Sequence, residues 1–146
     1  MLKISIGSDH GGLEYKEAIK NHLKGKYEVI DVGTYSSDSC HYPEFGIKAA
    51  ELVSSKECEF GIVVCTSGEG IMMAANKVKG VRCGIGYNDD VARLMRQHND
   101  ANMIAFGQKF MALEDVLRRI DIFLSASEMH DRHDIRVKMI EDYEAK

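Results

Sequence analysis

The chain has 146 residues, 45% of them apolar and 29% charged, with a formal net charge of -4. That is enough for one compact domain with a real core and short for two, and the acidic balance gives no general attraction to nucleic acid or to an anionic membrane. No apolar run approaches the roughly 20 residues of a bilayer span, the N-terminus enters a strand pattern rather than a signal peptide, and Cys40, Cys58, Cys65 and Cys83 show no CxxC spacing. A soluble, cytoplasmic protein with reduced thiols is expected, acting on a small molecule rather than a polymer.

Short apolar runs alternate with helix-length segments, the pattern of repeated βαβ units. The first strand is read over Lys3 to Gly7, and the helix after it, starting near Gly12, buries Leu13, Ala18, Ile19 and Leu23 and stops at Gly25. A second strand, Tyr27 to Val32, leads into a loop from Gly33 to Pro43 rich in Ser, Gly and Asp, and a helix from about Glu44 to Ser54 places Phe45, Ala49, Leu52 and Val53 inward. The third strand is Phe60 to Cys65, followed by a glycine loop and a helix holding Ile71, Met72, Ala74 and Ala75. The fourth is Val81 to Ile85; Asn88 then caps a helix from Asp89 to Gln97. The fifth is Asn102 to Phe106. A helix from about Leu113 to Ser125 buries Val116, Leu117, Ile120, Ile122 and Phe123, and a polar helix runs from about Arg132 to the end. The expectation is a single α/β domain: a Rossmann-like, doubly wound parallel sheet of five strands with a C-terminal helix.

Ligands of such sheets sit at the carboxyl ends of the strands. Those ends carry Ser8-Asp9-His10, the Gly33-to-Pro43 loop, Cys65 to Gly70, Tyr87-Asn88 and Gly107-Gln108-Lys109. The third is the most informative. A buried strand delivers the Cys65 thiol to a loop containing Gly68 and Gly70 at a helix N-terminus, where backbone N–H groups favour a thiolate or another anion. Position alone fits an inert core cysteine equally well; the adjoining loop favours chemistry. The loop has neither G-K-[ST] nor G-x-G-x-x-G, which argues against an NTPase or a dehydrogenase. Asp9 and His10 suit a polyhydroxylated substrate, with an ordinary cap and turn as the plain alternative. His98-Asn99-Asp100 falls at the opposite end of the sheet, so either the topology differs there or a neighbouring subunit brings it to the site. Arg132, His133 and Arg136 lie at helical spacing that suits a phosphate clamp or, equally, an exposed charged face. Lys77, Lys79 and Arg82 read as surface charges, and His22 and His41 as solvated.

Taken in order, Gly7-Ser8-Asp9-His10-Gly11-Gly12, Asp31-Val32-Gly33-Thr34, Tyr42-Pro43, Ala74 to Arg82, His98 to Asn102 and Arg132-His133 resemble the ribose-5-phosphate isomerase B family, which includes galactose-6-phosphate isomerase subunits. The resemblance spans nearly the whole chain. It implies a homodimer or tetramer with a site shared between subunits, and cofactor-free, metal-free interconversion of an aldose phosphate and a ketose phosphate, typically ribose 5-phosphate and ribulose 5-phosphate. Carried over by position, Cys65 is the base that moves a proton between C1 and C2, His98 opens the sugar ring and Asp9 handles a hydroxyl. Ser67 stands where the family usually has threonine and assists proton transfer to oxygen. The amides around Thr66, Gly68, Glu69 and Gly70 hold a cis-enediolate, an oxyanion that preorganised donors stabilise. Tyr42 lines the sugar pocket. His10, Arg132 and Arg136 bind the phosphate with His133 and Lys109 nearby, and Asn99 and His98 come across the interface.

The departures bear on substrate. The loop carries Thr66 and Glu69 where the family has glycine or a neutral residue, which places Glu69 second to Cys65 as a base. Lys109 replaces an arginine and loses bidentate phosphate binding, and His130-Asp131 replaces a glycine pair before Arg132. Three alternatives follow: an isomerase of a six-carbon sugar such as allose or galactose 6-phosphate, a non-catalytic sugar-phosphate-binding subunit, and a flavodoxin-like or response-regulator-like binding domain.

Overall fold

A computed structural model describes residues 1–146. Strands β1 (Lys3–Ser8), β2 (Glu28–Asp31), β3 (Phe60–Cys65), β4 (Cys83–Ile85) and β5 (Met103–Gly107) form one parallel sheet in the order β2-β1-β3-β5-β4. Helices α1 (Leu13–Leu23), α2 (Tyr42–Ser54), α3 (Glu69–Asn76), α4 (Asp89–Gln97), α5 (Leu113–Ser125) and α6 (Arg132–Glu144) follow the strands, with a short 3-10 turn at His10–Gly12. The doubly wound α/β expectation is met, with β4 at the edge and β5 between it and β3. No helix is long and apolar enough to cross a membrane.

Covering both faces of a parallel sheet forces its central strands to be apolar throughout. Successive side chains of β3 point to opposite faces. Ile62 and Val64 join Ile19 and Leu23 of α1, Met95 of α4 and Val116, Ile120 and Phe123 of α5 on one side. Val63 and Cys65 join Ala49, Ala50 and Val53 of α2 and Ile71 and Ala75 of α3 on the other. The β3 register against β5 pairs Cys65 with Gly107, fixing the thiol at the carboxyl edge of the two central strands.

Several expectations change. Helix α2 begins at Tyr42 rather than Glu44, because Pro43 has the φ of a first helical turn and lacks only an N–H that the turn leaves unpaired. Strand β4 is shorter than Val81 to Ile85, since the Arg82 amide turns to the Asn102 side chain at 2.8 Å. In α1, Leu13 and Ala18 are only half-buried, and the inward stripe runs through Lys16, Ile19 and Leu23. Lys16 is fully buried, its ammonium 2.5 Å from Asp31 Oδ2 at the end of β2. Two residues read as solvated or surface-lying are engaged instead: His22 Nε2 lies 2.9 Å from Asp121, and Arg82 pairs with Asp100 at 3.0 Å.

Candidate active site

The site begins where β3 ends. Cys65 is 4% exposed, and its Sγ accepts a hydrogen bond from the Gly68 amide at 3.1 Å. Gly68 caps α3 with φ +87°, a left-handed geometry in which an added Cβ would stand 3.0 Å from the Phe106 carbonyl carbon. The loop is pinned to the end of β5 by the Gln108 amide on the Cys65 carbonyl (2.9 Å) and the Lys109 amide on the Thr66 carbonyl (3.1 Å). Gly107 keeps that approach open, because a Cβ there would lie 2.4 Å from the Ser67 carbonyl oxygen.

This geometry redistributes the donors expected for an enediolate. The Gly68 amide is committed to the thiol, and the Glu69 amide donates to Ser67 Oγ at 3.2 Å. The Ser67 and Gly70 amides make no hydrogen bond within the chain. A helix start presents such amides to an anion. The Glu69 side chain is exposed in the first turn of α3 rather than turned into the thiol's buried surroundings.

Neighbouring loops close around this core. Asp9 is 7% exposed, and its Oδ1 accepts from the Gly11 amide at 3.0 Å, which caps the 3-10 turn and leaves Oδ2 without a protein donor. The same turn abuts the Cys65 loop: a Cβ on Gly11 would fall 2.3 Å from Thr66 Oγ1. His10 is exposed, and its Nδ1 accepts from the Cys40 amide at 3.3 Å, with Cys40 Sγ at 3.8 Å. An imidazole accepting at Nδ1 carries its neutral-form proton on Nε2, so the outward nitrogen is a donor. Tyr42, at the start of α2, lays its ring over Gly70, where a Cβ would be 2.6 Å from Cζ. Together with Ile47, Met73 and Lys77 they line a groove of about 250 Å³. Lys109 is exposed beside Thr66.

A second group assembles at the other end of the sheet. His98 caps the C-terminus of α4, and its ring stacks on His133 of α6 with centroids 3.9 Å apart. His133 is buried, and that burial, followed by the nearby charge of His98, pushes its pKa below the ordinary histidine value. Arg132 and Arg136 flank it on exposed positions of α6, and Asn99 is exposed beside His98. Asp131 proves to be the N-cap of α6: its carboxylate accepts from the His133 amide at 2.9 Å, the main reason its pKa is lowered. Within one chain the length of β5, about 13 Å, separates this group from Cys65. The structure therefore brings together Asp9, His10, Tyr42, Cys65 to Gly70 and Lys109, and separately His98, Asn99, Arg132, His133 and Arg136.

Comparison with known proteins gives the family. Residues 4–140 match the family model described as Ribose/Galactose Isomerase. Ribose-5-phosphate isomerase B of Escherichia coli is 40% identical over 141 residues, 96% of this chain and 95% of that one. The Clostridium thermocellum ribose-5-phosphate isomerase B structure superposes with a TM-score of 0.97 at 47% identity, covering 99% of this chain and 98% of the other. The Mycoplasma genitalium enzyme, solved with ribulose 5-phosphate bound, does so with a TM-score of 0.95 at 36% identity, over 99% and 97%. With the fold, the length and the order of the motifs all shared, the chain belongs to the ribose/galactose isomerase family of sugar-phosphate isomerases.

Proposed function

We propose that the protein interconverts ribose 5-phosphate and ribulose 5-phosphate through a cis-enediolate, with Cys65 as the base that carries the proton between C1 and C2. One observation carries this reading: the Cys65 thiol is buried at the end of β3 and held by the Gly68 amide at 3.1 Å, next to the unpaired amides of Ser67 and Gly70. Removing a carbon-bound proton creates an oxyanion on the adjacent carbonyl oxygen, and fixed donors out of bulk water stabilise that charge by roughly 3 kcal/mol each. Asp9 Oδ2 takes a sugar hydroxyl, Ser67 relays a proton to oxygen, Tyr42 bounds the sugar over Gly70, and the Nε2–H of His10 meets the phosphate.

His98 is read as the acid–base group that opens the sugar ring, and Arg132 and Arg136 as phosphate ligands. All three sit a strand length from Cys65 in their own chain, so the site is read as shared: one copy supplies the Cys65 loop and a second copy supplies the His98 and α6 group. The ribulose 5-phosphate bound in the Mycoplasma genitalium structure supports the five-carbon assignment. A six-carbon sugar phosphate is the second reading, favoured by the exposed Glu69 carboxylate in the first turn of α3, beside the groove under Tyr42. Assaying ribose, allose and galactose phosphates with wild type and Cys65→Ala, in deuterated solvent, tests both. Ribose 5-phosphate is expected to turn over with deuterium entering C1 of the ribulose 5-phosphate formed and C2 of the aldose re-formed from it, and preferential turnover of a six-carbon substrate would replace the first reading with the second.

A further inference from the structure

Three carboxylates from three segments converge behind the His98–His133 stack. Glu128 precedes α6, Asp134 lies in its first turn, and Asp100 sits in the turn between α4 and β5 with φ +47°. Asp100 is already held by Arg82 Nη2 at 3.0 Å and Arg96 Nη1 at 3.1 Å. The Glu128 side chain is about three-quarters buried, at 24% exposure, and its Oε1 is 3.7 Å from His130 Nδ1, which in turn is 3.2 Å from Asp134 Oδ2. Polar atoms of Glu128, His130 and Asp134 all fall within 4.8 Å of one another. A backbone bond anchors the same segment, from the Met129 amide to the Gln97 carbonyl at 2.9 Å, one residue from His98.

Carboxylates this close cannot all ionise without mutual repulsion, and a shared proton turns the repulsion into a hydrogen bond. We propose that Glu128 is a positioning residue: protonated, it gives its one proton to Asp134, beside Asp100, and clamps the first turn of α6, with Arg132, His133 and Arg136, onto the end of α4 that carries His98. The link to substrate binding rests on the reading of Arg132 and Arg136 as phosphate ligands. The hydrogen bond to Asp134, then burial, then the bond to Asp100 push the Glu128 pKa up to about 7. Asp134 is held below the usual carboxylate range by Glu128 and His130, and His130 is raised by Asp134. The other charges around the cluster are fixed or opposed: Arg82 and Arg96 are spent on Asp100, and Asp131 is spent on the cap of α6. As pH rises through 7, Glu128 gains a charge that Asp134 and Asp100 oppose, the exposed His130 being already paired with Asp134 at 3.2 Å, and the clamp loosens.

The test uses the full chain as wild type, Glu128→Gln and Asp134→Asn. Glutamine donates to Asp134 at every pH, as the protonated acid does; asparagine removes the repelling charge from the other side. Amide exchange in residues 132–136, corrected for the chemical rate, is expected to accelerate about tenfold in wild type between pH 6 and pH 8.5, and in neither variant. The ratio of wild-type to Glu128→Gln KM for ribose 5-phosphate cancels the titration of the substrate phosphate; it is expected to rise from about 1 to about 5 over that range. Superimposable exchange profiles for wild type and Glu128→Gln, or an acceleration that persists in Asp134→Asn, would overturn the clamp. The expected exchange with a flat KM ratio upholds the clamp and instead rejects Arg132 and Arg136 as substrate ligands.

Discussion

The imidazole rings of His98 and His133 stack within one chain, 3.9 Å between centroids and 12° from parallel. Burial, and after it the charge of the stacked His98, lower the pKa of His133. The sign follows from linkage: a histidine depressed in the fold is protonated first in the unfolded chain, so the fold loses stability as pH falls through about 6.5. His133→Phe keeps a stacking ring and removes the charge. Thermal unfolding followed from pH 7.5 to pH 5 is expected to show a shallower acid loss in this variant than in wild type.

Gly68 and Gly70 serve different purposes despite their spacing. Gly68→Ala meets both a positive φ and the backbone at the end of β5; it is expected to cost about 1–2 kcal/mol in denaturant unfolding and to lower kcat about a hundredfold by moving the amide on the Cys65 thiol. Gly70→Ala meets only the Tyr42 ring, which is 40% exposed and can swing away. Its effect is expected in KM, about tenfold, with little change in kcat.

Lys16 anchors the entry to the site from below. Its ammonium is buried against Asp31, whose pKa is lowered because the hydrogen bonds from Lys16, Lys20 and the Gly33 amide outweigh its burial. Lys16→Ala leaves a half-buried carboxylate with Lys20 alone, and an expected loss of about 3 kcal/mol in urea unfolding at neutral pH follows. Because a depressed carboxylate stabilises above its unfolded pKa, this difference between wild type and variant narrows as the pH falls below about 4.

The shared site predicts complementation. Cys65→Ala and His98→Asn are each expected to be inactive alone. Mixed and refolded together in equal amounts, they form hybrid dimers in which one of the two sites carries neither substitution, restoring about a quarter of wild-type activity. A site complete within one chain gives no recovery.

The parts of this architecture that the sequence displays are those governed by one periodicity. The apolar run of β3, the Asn88 cap of α4 and the stop of α1 at the left-handed Gly25 read directly, because each is fixed by its own neighbours. Lys16 was not legible as core, since a lysine on a helix face reads as solvent-facing until Asp31 arrives from another strand. Pro43 looked like the end of a loop and is the start of α2, as both readings use the same φ. The site shows the same division. Cys65 and its loop are contiguous, and the placement of His98 away from them follows from strand direction. The seat of Tyr42 on Gly70 and the meeting of Glu128 with Asp134 and Asp100 depend on contacts between separate segments, and no local pattern carries them.

The role of Cys65 is tested most directly by single-site replacement. In steady-state isomerisation of ribose 5-phosphate, Cys65→Ala, folded as judged by an unchanged circular dichroism spectrum, is expected to lose at least about a thousandfold in kcat with KM altered far less. Wild-type turnover by the folded Cys65→Ala protein would contradict the assignment of this thiol as the proton-transfer base.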